Sequence, residues 1–455
     1  MTRALARRSE RPARPAVLWT YFTVVMALWC YTPFLRRLVD WRVGSYNTVQ
    51  VLSVLPLAAL IPFFVVVMRR ERLARIPAAF KLFAAVWLAA MAYGLLIGAA
   101  TSSVGAALFE CAQYSLPVFA GAWLVSEPGD RDVVASRAAT IAIVLGIPFA
   151  GYAIYQWISP PPWDVFWVLS ADLASVGQPY PMALRVFSTL NAPGPCADFL
   201  MVVILLCVAR TSIRSLWWTG LAVALSGAAI LMTLVRSSWV AVVVGIAAFL
   251  LASPRRLRAL PFVAAFGLLV VALIPALPQL LGSQYTGSAI AERLGTFGDV
   301  EHDDSALTRK SEIADTVNVA MDNPQGLGLG AVGVASKLAA ESGGLVIAID
   351  SGYAARFLEL GYAGFIAYCF VTFGSLAYLV WATFSPTTQP RGIGIALGVS
   401  ICAALVWMDA AVDSHASLDG VMFWIALGAG CREAASTAKV RARRAFGREG
   451  ARGVA

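Results

Sequence analysis

The sequence has few charged residues and almost no histidine. Of its 455 residues, 13% are Asp, Glu, Lys or Arg, two are histidine, and 59% are apolar. Soluble proteins carry about 25% charged residues, so this composition excludes a soluble enzyme. The charges are also bunched rather than scattered, and the long apolar stretches between them are typical of helices that cross a bilayer.

The sequence also lacks the usual signals of metal and nucleotide chemistry. The seven cysteines are odd in number and lack the spacing of metal ligands, which favours a packing role. The glycine-rich stretch 326–330 lacks the Lys-Ser/Thr of a P-loop and is interpreted as a flexible loop. Asp409 and Asp413 form a pair of carboxylates, but no Asp-x-Asp pair follows a predicted strand, so we expect no metal site.

Two basic tails account for the net charge of +9. Residues 1–15 carry five arginines against one glutamate, a net charge of +4. Residues 432–455 carry seven basic residues against two acidic ones, a net charge of +5. Basic tails that flank a bilayer favour a cytoplasmic location for both termini, and this interpretation is preferred over nucleic-acid binding.

At about 17–25 residues per crossing, the apolar stretches predict an all-α polytopic membrane protein with twelve spans. The order is a cytoplasmic tail over 1–15, nine spans within 16–281, an outer loop over 282–356, three spans within 357–432 and a cytoplasmic tail over 433–455. The basic groups at 69–75 and 255–258 then fall on the cytoplasmic side, as the positive-inside rule requires. The predicted spans are 16–35, 48–68, 78–99, 104–125, 135–158, 197–213, 216–234, 237–252, 260–281, 357–384, 392–411 and 416–432.

One connection opposes this register. It contains Arg36, Arg37 and Arg42 against Asp40, so it is net basic, and yet it must face outward if the other assignments hold. We therefore expect it to form a re-entrant or interfacial segment.

Two connections are long, 159–196 and 282–352, and the register places both on the outer face. Long ordered loops often carry function, whereas short ones only join helices. The second loop has ten acidic residues against four basic ones, and its net charge of −6 favours an external location. Apolar spacing predicts short amphipathic helices within it over 309–321 and 351–360.

Three arginines lie on or near the outer face: Arg185, Arg236 and Arg309. Arg236 is the most demanding, because an arginine within the bilayer costs about 2.5–3.5 kcal/mol on insertion scales. Asp198 is the nearest candidate carboxylate. Guanidinium groups bind phosphate oxygens in a bidentate fork, so converging arginines would hold a diphosphate. The alternatives are snorkelling toward the headgroups or a structural ion pair.

A series of short motifs occurs over roughly residues 180–365. The motifs are Arg185-Val186-Phe187-Ser188-Thr189-Leu190-Asn191-Ala192-Pro193, Thr233-Leu234-Val235-Arg236-Ser237-Ser238-Trp239, Arg309, Asn323-Pro324-Gln325-Gly326-Leu327-Gly328-Leu329-Gly330, Asp350-Ser351-Gly352-Tyr353 and Leu358-Glu359-Leu360-Gly361. No single motif is diagnostic, but their order and the length of the outer loop are specific together. This order resembles that of the O-antigen ligase and polymerase superfamily.

This resemblance implies an inverting glycosyltransferase of the C-type membrane fold in the bacterial inner membrane, with no metal or other cofactor. Its donor and acceptor would be undecaprenyl-diphosphate-linked glycans, and chain-length regulators and export proteins would be further partners alongside membrane lipids. By motif position, Arg185 and Arg236 would hold the diphosphate leaving group. Arg309 would be a catalytic residue of the same external site.

Ligases of this superfamily carry a histidine where this chain has Asp350-Ser351, and the pattern here is closer to polymerases. We therefore expect polymerisation of repeat units into exopolysaccharide or O-antigen. Ligation to lipid A core is the first alternative, and a lipid-linked sugar flippase or secondary transporter is the second.

Asp350 is the first candidate for the catalytic base, because transfer to a hydroxyl benefits from a proton acceptor within hydrogen-bond reach. The alternative is that Asp350 caps the following helix. Tyr353, Arg356 and Glu359 are further candidate substrate contacts, although a partly solvated salt bridge is the favoured interpretation of Glu359. Glu110, within a predicted span, is expected to be buried against a neighbouring helix.

Overall fold

The computed structural model describes residues 14–46, 51–128, 131–171, 176–211, 216–253, 314–340, 349–385 and 392–452. Within these ranges the regular structure is helical, and one isolated antiparallel bridge joins Gly177 to Leu184. The helices are α1 (Arg14–Val43), α2 (Val51–Ala58), α3 (Ile61–Val67), α4 (Arg70–Arg75), α5 (Ala78–Thr101), α6 (Val104–Ser126), α7 (Arg131–Ile158), α8 (Pro162–Ser170), α9 (Pro193–Thr211), α10 (Leu216–Met232), α11 (Arg236–Ala252), α12 (Gly333–Ala340), α13 (Gly352–Phe384), α14 (Gly394–Met408) and α15 (Ser417–Arg452).

Among the described residues, α1, α5, α7, α9 and α13 contain stretches long and apolar enough to cross a membrane. Four shorter apolar stretches, Val51–Val67, Trp217–Met232, Arg236–Ala252 and Gly394–Met408, accompany them. This is consistent with a multi-pass membrane protein. The twelve-span topology stays a prediction, and the predicted span 260–281 lies outside the described residues.

Small residues bring the helices of the bundle close together. Gly121 of α6 lies against the backbone of Trp424 in α15, and Gly398 of α14 lies against the Ala426 carbonyl of the same helix. Ser400 Oγ of α14 donates a hydrogen bond of 2.7 Å to a backbone carbonyl of α11. Close backbone approach and interhelical hydrogen bonds of this kind are the usual basis of helix packing in membranes.

Helix α9 lies at the centre of the bundle. In its most apolar stretch, 83% of the residues are buried inside the protein, and it packs on α7, α10, α11 and α14. A helix that is apolar on all sides is typically buried on all sides, by protein or by lipid. Near its N-terminal end, beyond the first turn, α9 carries one acidic residue, Asp198, which is fully buried.

One end of the bundle gathers the polar segments. There the C-terminal ends of α5, α10 and α14 meet the N-terminal ends of α6, α9, α11, α13 and α15. The predicted topology places this end at the outer, non-cytoplasmic face of the membrane, and we call it the outer end. The hydrogen bonds that join these segments are Thr101 Oγ1 to Leu327 O (2.6 Å), Gly352 N to Asp409 O (2.8 Å), Ser414 Oγ to Asp198 Oδ2 (2.8 Å), Ser417 Oγ to Gln113 Oε1 (2.5 Å) and Val186 N to Met232 O (3.2 Å).

Three details differ from the sequence-based expectations. The basic connection after the first span is not re-entrant, because α1 continues as one helix through Val43. The predicted span 48–68 is divided between α2 and α3. The predicted short helix 351–360 is continuous with the next span in α13, with a kink at Gly361, whose φ of 59° and ψ of −166° are not helical.

Candidate functional site

The N-terminus of α13 is fixed by a cap and by the segment that follows α14. Ser351 is the N-cap, and its side chain accepts a hydrogen bond of 3.4 Å from Ala354 N. Gly352 N donates to the backbone oxygen of Asp409 at 2.8 Å. Asp350 precedes this cap and is exposed. The alternative that Asp350 is the N-cap was therefore wrong, because Ser351 occupies that position.

The kink in α13 holds the glycine-rich loop. Leu327 N and Gly328 N each donate a 2.9 Å hydrogen bond, to the carbonyls of Leu358 and Glu359 respectively. Gly326 has φ of +85°, and a Cβ there would overlap the Glu359 carbonyl oxygen. The loop is packed, so its interpretation as flexible was wrong.

The same loop also packs against α5. Leu329 is fully buried, and its N–H donates to the Gly94 carbonyl at 2.9 Å. A Cβ on Gly328 would overlap the backbone of Gly98. The glycines are therefore required because three backbones meet at van der Waals distance. Two of the motifs noted in the sequence, 323–330 and 358–361, form one interlocked platform.

Arg356 lies one turn into α13 and is 2% exposed. Its Nη1 is 2.6 Å from Glu359 Oε2, and its Nη2 is 3.2 Å from Glu110 Oε1. The guanidinium carbon lies 4.3 Å from the ring centre of Tyr114. Glu359 forms the expected salt bridge, but it is fully buried, so the expectation that this salt bridge is partly solvated was wrong. Glu110 is buried against a neighbouring helix, as expected.

Glu359 connects this arginine to the glycine-rich loop. Its Oε1 accepts hydrogen bonds from Gly330 N at 3.0 Å and from Val332 N at 3.1 Å, while Oε2 faces Arg356. Because both Arg356 and Glu359 are buried and engaged with the protein, direct contact of either with a substrate would require a rearrangement of this platform.

A second set of polar groups lies between α14 and α15. His415 Nδ1 is 3.2 Å from Asp409 Oδ1, and Tyr368 Oη donates to Asp409 Oδ2 at 2.6 Å. Ser414 Oγ donates to Asp198 Oδ2 at 2.8 Å. All five of these side chains are buried. The sequence drew attention to Asp409 as one of a pair and to Asp198 as a carboxylate near Arg236, but it did not predict that they lie together. Ionisable residues so closely spaced between two apolar stretches are themselves a signal of function.

Asp413 joins the two sets. Its Oδ2 accepts a hydrogen bond from Tyr114 Oη and lies 3.7 Å from Arg356 Nη2, and its Oδ1 accepts from His415 N at 3.4 Å. The Asp413 side chain is 30% exposed. We call the whole group the acidic cluster; it consists of Glu110, Asp198, Arg356, Glu359, Asp409, Asp413, His415 and Asp419.

The acidic cluster has more carboxyl groups than cations. Six carboxyl groups face one arginine and one histidine, and Asp419 lies within electrostatic range of Asp198 and Asp413. Within the described residues, Asp198 Oδ1, Asp419 Oδ1 and His415 Nε2 are buried without a hydrogen-bond partner. Buried polar atoms are nearly always paired in proteins, so these three atoms are positions where water or a ligand would bind.

The structure brings two of the three predicted arginines to the same turn. Arg185 Nε donates to Thr233 O at 3.2 Å, and Thr233 begins the turn that leads into Arg236, the first residue of α11. The turn is tight, with Leu234 at φ of 55°. Both arginines are half-buried. Arg309 lies outside the described residues, so its predicted place in the site stays a prediction.

A buried arginine holds the segment that carries Arg185. Arg37 is fully buried, its Nε is 2.9 Å from Asp164 Oδ1, and its Nη2 donates to Ser188 O at 2.6 Å. Its Nη1 donates to the Leu190 carbonyl. Burial raises the pKa of the Asp164 carboxyl, whereas the charge of Arg37 opposes that rise.

Gln156 completes this second network. Its Nε2 donates to Asp164 Oδ2 at 2.7 Å, and its Oε1 accepts from Phe187 N and Ser188 N, both at 2.9 Å. These bonds fix the backbone of 187–190, including Ser188 at φ of 51°. The basic connection that opposed the predicted register thus has a structural role as the last turns of α1.

Tyr353 is partly buried in the described structure. Its hydroxyl donates to Val406 O at 2.9 Å, and its ring stacks on Phe373 with centroids 5.6 Å apart. Its predicted contact with substrate is not tested by this geometry. Within the described ranges, no group of three or more His, Cys, Asp or Glu side chains has an arrangement that could hold a metal ion.

Comparison with known proteins gives one family. Residues 221–369 match the family model described as O-antigen ligase. This range contains the turn at 233–236, the glycine-rich loop and the N-terminal half of α13, whereas Arg185 and the 409–415 segment lie beyond it. No curated protein sequence matches the chain.

Proposed function

From membership of the O-antigen ligase and polymerase superfamily, which the match over residues 221–369 supports, we propose that this chain is a membrane glycosyltransferase. It joins polyprenyl-diphosphate-linked repeat units into a polysaccharide at the outer face of the membrane. The observation that carries this proposal is the meeting of Arg185 with the turn before Arg236 at the same end of the bundle as the acidic cluster.

The two arginines suit the leaving group. When a sugar leaves its lipid diphosphate, negative charge builds on the phosphate oxygens, and preorganised guanidinium groups stabilise that charge as it develops. A fork of parallel N–H groups also matches the geometry of phosphate oxygens. The backbone bonds around Thr233 and Ser188 hold both arginines on fixed segments, which limits the reorganisation needed during the reaction. Arg309 is proposed to add a third guanidinium.

The acidic cluster suits an acceptor with many hydroxyl groups. Carboxylate oxygens accept hydrogen bonds from sugar hydroxyls, and one of them is needed to take up the proton of the attacking hydroxyl. Asp350, the base proposed from its motif position, precedes Gly352, which is bonded to the backbone of Asp409. The residues proposed to bind the glycan acceptor and the base proposed from its motif position therefore lie on neighbouring segments. The proposed reaction is inverting and uses no metal.

Transfer of the glycan to lipid A core, the ligase reaction, is the second candidate. The description of the matched family favours it. The presence of Asp350-Ser351 where ligases of the superfamily carry a histidine favours the polymerase. A flippase or transporter is less favoured, because transporters place their substrate sites near the midplane, whereas Arg185, Arg236 and the acidic cluster lie at one end of the bundle.

Purified protein in detergent, supplied with a lipid-diphosphate-linked repeat unit and no nucleotide, should produce a ladder of longer lipid-linked glycans. Transfer seen only after addition of lipid A core would replace the polymerase with the ligase. Neither product, together with movement of the lipid-linked sugar across liposomes, would replace both with a transporter.

A further inference from the structure

We propose that Asp413 is the catalytic residue that accepts the proton of the attacking acceptor hydroxyl. This inference rests on the proposed function, because it assigns the proton transfer in that reaction. It differs from the assignment based on motif position, which selects Asp350.

Accessibility is the first argument. Asp413 has a side chain that is 30% exposed, whereas Arg356 and the other carboxyl groups of the acidic cluster are nearly or fully buried. A substrate that approaches the outer end therefore meets this carboxylate before the rest of the cluster. The buried members are Glu110, Asp198, Glu359, Asp409 and Asp419, with relative exposures of 5%, 0%, 0%, 0% and 4%.

Orientation is the second argument. Tyr114 Oη and Arg356 Nη2 both lie against Oδ2, on one side of the carboxylate. Oδ1 accepts one long bond of 3.4 Å, from His415 N. A carboxylate oxygen has two lone-pair sites, so Oδ1 retains capacity for a hydroxyl donor. The side chain is thus held by three groups from three segments, and preorganisation of this kind is what a general base needs.

Asp413 lies among several charged groups. One cation close to it, Arg356, is shared with Glu110 and Glu359. The charged and titratable groups that face Asp413 are Glu110 and Tyr114 from α6, Asp198 from α9, Arg356, Glu359 and Tyr368 from α13, Asp409 and His415 from the segment after α14, and Asp419 from α15.

Asp350, in contrast, lies outside the acidic cluster, in the exposed non-helical stretch before the Ser351 cap. The proposed step is balanced with Asp413. The acceptor oxygen forms a bond to the anomeric carbon, the bond from that carbon to the diphosphate oxygen breaks with its electron pair, and the hydroxyl proton passes to Asp413 Oδ1.

The test has two steps. Asp413 is replaced, and the variant is then given an acceptor that needs no base. Asp413→Asn keeps the size of the side chain and its ability to accept from Tyr114, and it should lower polymerisation by about 100-fold or more. Azide carries no proton to be removed. Added azide should therefore restore consumption of the lipid-linked donor by this variant, with a glycosyl azide as the product. Asp350→Asn is the matched control, and we expect a smaller loss of polymerisation.

Arg236→Ala is the second control, because azide does not repair the stabilisation of the leaving group. Asp413→Glu and a thermal unfolding curve for each variant separate misfolding from chemistry, since a folded Asp413→Glu should retain more activity than Asp413→Asn. Polymerisation by Asp413→Asn at the wild-type rate would overturn the inference, as would a folded but inactive Asp413→Asn that azide does not rescue. Both results would leave the proposed function intact, because the wild-type ladder is measured in the same experiment; an absent wild-type ladder would overturn both proposals.

Discussion

Among the described residues, two arginines, Arg37 and Arg356, have relative exposures of 0% and 2%, and their surroundings differ. Arg37 pairs with one carboxylate, Asp164, and donates to the backbone carbonyls of Ser188 and Leu190. Arg356 has three carboxylates within 4 Å and stacks on a tyrosine ring. The first network is closed and balanced in charge, whereas the second has an excess of carboxylates and reaches the surface.

This difference indicates that the buried charge of Arg37 has a structural role, whereas that of Arg356 has a chemical role. Moving an ion out of water costs free energy, and this cost is offset only when the ion forms well-oriented hydrogen bonds and ion pairs in the protein. At Arg37 the bonds determine the backbone of the segment that positions Arg185. At Arg356 the bonds hold together the carboxylates around Asp413, to which we assign the proton transfer. We therefore expect loss of Arg37 to act mainly on stability and loss of Arg356 mainly on activity.

The largest expected effect on stability belongs to Arg37→Met. It leaves Asp164 buried without its cation and leaves two carbonyls without a donor, so we expect a loss of about 3–5 kcal/mol. Thermal unfolding in detergent measures it. The double variant Arg37→Met with Asp164→Leu should recover part of the loss, because no charge is then left unpaired. A single variant as stable as the wild type would remove the distinction between the two arginines.

The next largest loss of stability is expected for Arg356→Met. Because part of the acidic cluster reaches solvent through Asp413, we expect a smaller loss of stability than at Arg37 together with loss of polymerisation. Unfolding curves and the ladder assay on the same preparation check both parts. Arg356→Lys should restore folding more fully than activity, since an ammonium group cannot face three carboxylates as a guanidinium does. Normal polymerisation by Arg356→Met would contradict the chemical role of this network.

The smallest effect tests the platform that joins Arg356 to the glycine-rich loop. Gly326→Ala forces a side chain into a left-handed conformation and against the Glu359 carbonyl, so a loss of about 1–3 kcal/mol is expected. Gly151→Ala is the matched control, because it lies in α7 with open space around its Cα and should be neutral or slightly stabilising. Equal unfolding temperatures for the two variants would mean that the loop is not tightly packed.

The sequence predicted the helical class and most helix positions, because spans are encoded locally in apolar runs. Through the motifs of the resemblance it also predicted one site for Arg185 and Arg236. The structure places Arg185 against the turn before Arg236, and their shared role stays a prediction. Glu359 was a candidate partner of Arg356 from the sequence, and the structure shows that ion pair. The sequence did not predict Glu110 as a further partner, since Glu110 is 246 residues away along the chain and no local pattern encodes that contact. The continuation of α1 through Arg37 was missed for a similar reason. A buried arginine within a helix resembles a loop charge until its distant carboxylate is known.

The most direct measurement of the central claim is the affinity of the purified protein for undecaprenyl diphosphate, the leaving group without its sugar. Arg236→Ala should weaken binding by about 10–100-fold, the range expected for loss of a charge-assisted hydrogen bond. Arg236→Lys should also bind more weakly than the wild type, because a point charge cannot form the bidentate fork, whereas exposed Lys81→Ala should bind normally. Wild-type affinity in both Arg236 variants would contradict the proposal that these arginines hold the diphosphate.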